Sequence, residues 1–155
     1  MADRRGKASL LVSLYPRFAE GILAGAKKVE FRRKAPRRVV CELLLYATAP
    51  VRRVVGFARV SAVVQDTPEE LWRQFHAHAG MDLHEFLAYF EGAQQGTAFV
   101  IGAAERWSPE DLPEELRAVK PPQSYAYWET DLAQPALPEL VHVVDKAGGA
   151  PASRG

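Results

Sequence analysis

From Ala8 to Leu14 the chain is rich in Leu and Val and alternates little, which predicts a strand buried on both faces. Tyr15-Pro16 then opens a short helix, since proline at the first helical position loses no hydrogen bond. Phe18, Ile22 and Leu23 make its apolar stripe, and Gly25 stands where a helix end needs a residue free to take positive φ. Strands are predicted over 27–33, 39–47 and 54–64. In the last of these Val54, Gly56, Ala58, Val60, Ala62 and Val64 form one small, apolar face suited to a core.

The period then lengthens from two to about 3.6 residues. Thr67-Pro68-Glu69-Glu70 combines a capping hydroxyl, a proline and a glutamate three residues on, so a helix begins there with Leu71, Trp72 and Phe75 as its buried side. Asp82 and Glu85 repeat the capping pattern. Leu83, Phe86, Leu87 and Phe90 follow at helical spacing, and Gly92 closes the element. Strand character returns over 97–107, Ser108 to Asp111 forms an acidic turn, and Pro121-Pro122 leads into a last strand at Tyr125–Trp128. Strands on both sides of a helical insertion predict an α+β domain: a small mixed β-barrel or curved sheet with a short N-terminal helix and two middle helices against it. The element order is not a βαβ repeat, which argues against a dinucleotide-binding fold. One domain is expected over residues 8–145, with 1–7 and 146–155 as flexible termini.

Composition alters this picture little. The 155 residues suffice for one core, and Cys41 is the lone cysteine, which excludes an intrachain disulfide and suits a reducing, cytoplasmic setting. No apolar run approaches the ~20 residues of a membrane span. Charge distribution changes more. The net charge is +1, yet residues 1–60 carry 14 of the 20 Lys/Arg and only 4 of the 19 Asp/Glu. A basic half inside a near-neutral protein points to a polyanionic partner.

The basic residues concentrate around Gly25-Ala26-Lys27-Lys28-Val29-Glu30-Phe31-Arg32-Arg33. On a strand Lys28, Glu30 and Arg32 share one face and Val29 and Phe31 the other, so a carboxylate flanked by cations is presented opposite a core face. Lys34, Arg37, Arg38, Arg52 and Arg53 extend the positive field toward a phosphate backbone. Glu30 is suited to orient a cation, to accept from a base edge or to act as a general base. A surface ion pair worth at most ~1 kcal/mol is the plain alternative. Tyr125 and Tyr127 offer rings for an unpaired base, or ordinary packing. Gln123 and Ser124 lie in a proline-stiffened turn, and Ser13 and Thr48 offer hydroxyls. His76 and His78, two apart on a helix, point away from each other, so no metal site is expected. No phosphate-cradling glycine loop or serine elbow implies a cofactor or that class of nucleophile.

The run containing Gly25, Lys27, Glu30 and Arg32 resembles the Gly-x-Lys-x-x-Glu-x-Arg signature of the ASCH domain, a PUA-like module. The preceding SLYPRFAEGILAG, the strands LLLYATAP and VRRVVGFARV with their Tyr46, Thr48, Pro50 turn, and the closing PPQSYAYW are similar to that family in the same order, over about residues 8–128. The resemblance implies a barrel-like core with a cleft beside the signature, and RNA binding, favoured over DNA, with roles in RNA metabolism or transcription. Lys27, Arg32 and Arg33 would then contact phosphate, with Lys28, Arg37, Arg38, Arg52 and Arg53 steering the ligand. One hydrolytic branch removes the acyl group from N-acetylated cytidine with a lysine, a threonine and a glutamate. Its lysine matches Lys27, but Glu30 stands where its threonine would be. A metal-independent hydrolase of a modified nucleoside or RNA, using Lys27 and Glu30, is therefore the alternative. The sequence leaves the oligomeric state and any nucleoside ligand open.

Overall fold

A computed structural model describes residues 7–128 of the chain. The strands are β1 (Lys7–Leu14), β2 (Val29–Arg32), β3 (Val39–Ala47), β4 (Arg53–Asp66), β5 (Gly96–Arg106) and β6 (Tyr125–Trp128). The helices are α1 (Pro16–Leu23), α2 (Pro68–Phe75), α3 (Leu83–Tyr89) and α4 (Glu114–Arg117), with 3₁₀ turns at His76–His78 and Pro109–Asp111. All six strands join one sheet in the order β2-β5-β4-β3-β1-β6. The β1–β3 pair is parallel and the others are antiparallel. This is the expected α+β class. Lys7, expected in a flexible terminus, already pairs with Val39 as part of β1. The proposed domain end at 145 and the C-terminal tail lie outside the described residues.

The two inner strands justify their Leu/Val richness. Leu10, Val12 and Leu14 of β1 join Leu43 and Leu45 of β3 in one core, under α1. Leu11 and Leu44 enter a second core with Tyr46, Phe57 and Trp107 on the opposite face. A third core lies where α2 and α3 cover β2 and β5, with Val29 and Phe31 against Leu71, Phe86 and Phe90. Thr67 caps α2 through the Glu70 amide, and Asp82 and Glu85 form a reciprocal capping box on α3.

Two expected apolar faces are only partly realised. In β4, Val54 joins the second core, whereas Ala58, Val60 and Val63 join the first, and Ala62 and Val64 are half-buried. The register shifts between Leu45 and Tyr46, between Ala58 and Val60, and between Val60 and Ala62. The irregularities next to Val55 and Ser61 put an extra residue into β4 and turn the neighbouring side chains to the other face, so strict alternation fails over so long a strand. On α3 and the Phe90 that caps it, Phe86 and Phe90 are buried but Leu83 and Leu87 are exposed. With only seven residues, this helix meets the sheet along one narrow line.

The backbone ladder does not close into a barrel: β2 and β6 are its edges. The sheet curls instead, and side chains bridge the edges. The Arg32 guanidinium at the end of β2 donates to Ser13 O and to Ser124 O and Oγ. Beyond it, Tyr125 donates through its hydroxyl to Lys34 O, and the Tyr127 hydroxyl accepts from the Arg37 and Arg38 amides. Both β6 tyrosines therefore serve as edge fasteners. Tyr127→Phe should leave those two amides without this acceptor, one of them part-buried, and cost about 1 kcal/mol. Chemical denaturation would show a lower midpoint with little change in slope. An unchanged midpoint would mean that the tyrosine bonds do not hold the edges together.

Candidate functional site

The site begins with a turn. Helix α1 ends at Leu23, Gly25 takes φ 84°, and the chain reverses so that the Ala26 and Lys27 amides both donate to Gly21 O. This points the Lys27 side chain inward, where it is 1% exposed. Its methylenes lie against Gly80, which has φ 71°; a Cβ there would come within 2.8–2.9 Å of Lys27 Cγ, Cβ and Cδ. The Nζ donates to Ala79 O at 2.6 Å, lies 4.9 Å from the Phe18 ring centroid, and is 3.6 Å from Glu30 Oε1. Burial pushes the Lys27 ammonium below its usual pKa, while Glu30 pulls the other way.

Glu30 and Arg32 share one face of β2, as the alternation predicts, but that face is interior. Glu30 is 5% exposed and Arg32 8%. Arg32 Nε and Nη2 both donate to the same oxygen, Glu30 Oε2, at 3.0 and 2.7 Å, and both bonds are charge-assisted. Glu30 Oε1 accepts no hydrogen bond and has Lys27 as its ion-pair partner. In place of the surface ion pair that was the plain alternative stands a buried Lys27–Glu30–Arg32 triad, and its arginine also fastens the sheet edges.

Above the triad opens a cleft of ≈ 540 Å³. Glu30 and Arg32 line it, together with Ser13, Thr48 and Gln123 from the expected set. The Thr48 turn is held at the cleft by its amide, which donates to Leu14 O. Lys27 does not line the cleft, so it cannot meet a ligand there without the packing around it opening. Lys28 is exposed outside β2, its backbone pairing with His78 O and the Ile101 amide. Arg33 folds back on α3, its Nη1 donating to Tyr89 O and Glu91 O.

The remaining basic residues fall in the loop before β3 and around the start of β4, away from the cleft lining. Arg37 and Arg38 flank Tyr127, with the Arg38 guanidinium 5.0 Å from that ring's centroid. Arg52 has φ 56° in the turn before β4. Arg53 lines a second cavity of ≈ 410 Å³ with Pro109, Glu110, Leu112 and Arg117. Ser124 is used as an acceptor by Arg32, and Tyr125 packs its ring near Phe99. No group of three or more metal-ligating side chains occurs among the described residues, and no helix among them is long and apolar enough to cross a membrane.

The cleft also contains residues that the sequence pattern did not single out for function. Tyr15, Arg17 and Phe18 come from the start of α1; Met81, Glu85, Ala88 and Tyr89 come from α3 and the residues before it. Tyr15 is 63% exposed, and Tyr89 is also among the exposed aromatics. Arg17 pairs with Glu85, tying α1 to α3 at the cleft. The signal available was Tyr15-Pro16-Arg17 directly after a buried strand, which reads simply as a helix start. Burial pushes the Tyr89 phenol above its usual pKa.

Comparison with known proteins agrees with this architecture. The ASCH domain profile matches residues 12–131. An "ASCH domain-containing ribonuclease" from Zymomonas mobilis is 35% identical over 138 residues, which span 86% of this chain and 93% of that protein. The "large ribosomal subunit protein uL22" of Ureaplasma parvum is 27% identical over 121 residues, covering 77% of this chain and 39% of that one. The crystal structure of the ASCH protein from Zymomonas mobilis superimposes with a TM-score of 0.72 at 32% identity, covering 88% of this chain and 96% of that one. A serine-to-alanine variant of it gives 0.73, at 31% identity and with 86% and 96% covered. A PUA-like curved sheet, the signature residues converging beneath one cleft, and these relatives lead to one assignment: the chain belongs to the ASCH domain family.

Proposed function

We propose that this protein binds single-stranded RNA and seats an unpaired base in the cleft over the Glu30–Arg32 pair. The observation that carries this reading is the pairing of an exposed aromatic rim with a charged, buried floor. Tyr15 and Tyr89 line a cavity whose base holds a carboxylate and a guanidinium locked together. Unpaired bases stack on accessible aromatic rings without regard to sequence. A base edge would meet Thr48, Gln123 and Glu30, all lining the same space. A duplex cannot offer a base to such a cleft without unstacking it, which favours single strands. Backbone on either side would run toward the segments carrying Arg37, Arg38, Arg52 and Arg53.

A second reading, cleavage of the bound RNA, is favoured by the relative named as a ribonuclease and by the Glu30 carboxylate at the cleft floor. RNA carries its own nucleophile, the 2′-hydroxyl, so a metal-independent nuclease needs a base, an acid and positive charge held in place. Glu30 would supply the base. Hydrolysis of an acylated nucleoside is less well supported, because Lys27 is enclosed and does not line the cleft.

The test is a titration of fluorescent single-stranded RNA, duplex RNA and duplex DNA at two salt concentrations. Single-stranded RNA should bind most tightly, and salt should weaken it. Tyr15→Ala, at a position 63% exposed, should reduce affinity by about 1–3 kcal/mol, the worth of one stacked base. Equal binding of all three nucleic acids, unaffected by Tyr15→Ala, would contradict base seating in the cleft. Fragments formed in the presence of a chelator, and lost in a Glu30→Gln variant that circular dichroism shows to be still folded, would support the second reading.

A further inference from the structure

The cations of the signature are engaged inside the fold. Arg32 is bonded to Glu30, Ser13 and Ser124, and the packing around Lys27 shuts it away from the cleft. Arg33 is bonded to carbonyl oxygens of the α3 segment. To capture a phosphate, any of them would first have to break structure. Arg17 would not. It lines the cleft, its side chain is 58% exposed, and its ion-pair partner is the Glu85 carboxylate.

We infer that Arg17 is the phosphate-binding residue of this cleft, and that it exchanges Glu85 for a backbone phosphate when RNA enters. The inference rests on the RNA reading above. Four features carry it. The guanidinium lies 4.2 Å from the Phe18 ring centroid, so its fork is already held against an aromatic face rather than swinging free. It stands two residues from Tyr15, whose exposed ring is offered to a base, so base and phosphate contacts adjoin. Glu85 has a second role that does not need Arg17: its Oε1 accepts from the Asp82 amide in the α3 capping box, while Oε2 faces Arg17. Releasing the arginine leaves the cap in place. The exchange also replaces one anion by another, and a guanidinium fork matches phosphate as well as it matches carboxylate.

Glu85 on this account is a competitor for Arg17, and that distinguishes the proposal from a purely structural bridge between α1 and α3. If the pair only braced the cleft walls, removing either partner would harm binding. If Glu85 competes with RNA, its removal helps. The two side chains should therefore affect binding in opposite directions.

The experiment measures affinity for a fluorescent single-stranded RNA from about 0.1 to 1 M salt, using wild type, Arg17→Ala, Arg17→Lys and Glu85→Gln. Glutamine still supports a capping box, so Glu85→Gln should fold normally. Losing one phosphate contact makes the log–log salt slope shallower by about 0.7 for a single strand, which amounts to about fivefold weaker binding near 0.1 M. Arg17→Ala should show both changes, Arg17→Lys should keep the slope, and Glu85→Gln should bind about two- to fivefold more tightly. Weaker binding by both Arg17→Ala and Glu85→Gln, or an Arg17→Ala slope equal to wild type, would overturn the assignment and leave RNA binding standing. A wild type that fails to bind single-stranded RNA would overturn both.

Discussion

The Arg32–Glu30 pair is the contact on which both fold and site depend. One guanidinium holds the Glu30 carboxylate by two bonds and also reaches the backbone of β1 and of the segment entering β6. The sheet is open between β2 and β6, so a side chain does there what a sixth ladder would do in a closed barrel. Two charges with so little exposure are costly to desolvate, and removing one partner of such a pair typically costs about 3–5 kcal/mol. The arrangement persists because Lys27 approaches the other carboxylate oxygen and the remaining guanidinium protons all find oxygen acceptors. In function the same pair makes a rigid, polar floor for the cleft.

A consequence is a division of labour between signature and rim. Residues that look like ligand contacts in the sequence, Lys27 above all, build the platform. Residues that a ligand would meet first, Tyr15, Arg17 and Tyr89, stand on α1 and α3 around it. These two helices are joined at the cleft by an exposed ion pair, which is weak and salt-sensitive compared with the buried triad beneath it. The cleft thus has a buried, hydrogen-bonded base and an exposed, salt-sensitive bridge at its edge.

Most of the fold was legible in the sequence because its signals were local. The Leu/Val-rich β1, the capping patterns at Thr67 and Asp82, and the glycine at position 25 each announce an element through residues close together in the chain. What was not legible depended on contacts between distant segments. Bulges in β4 redistribute an apparently regular apolar face, and the narrow contact of α3 leaves Leu83 and Leu87 outside. Two residues of the Gly-x-Lys-x-x-Glu-x-Arg motif, Glu30 and Arg32, line the cleft. The motif did not reveal that Lys27 is enclosed, because that follows from Gly80 and Ala79 folding over it some fifty residues later. For Tyr125 the sequence left base stacking and ordinary packing both open, and the contact of its hydroxyl with Lys34 across the sheet opening involves a residue 91 positions away.

The most direct test of the account is chemical-shift mapping of the ¹⁵N-labelled protein titrated with a short single-stranded RNA. The cleft reading predicts the largest shifts at Tyr15, Arg17, Thr48, Tyr89 and Gln123, with Lys27 little changed because no ligand reaches it. Shifts confined to the segments carrying Arg37, Arg38, Arg52 and Arg53, with the cleft silent, would contradict it and place RNA on the basic surface alone.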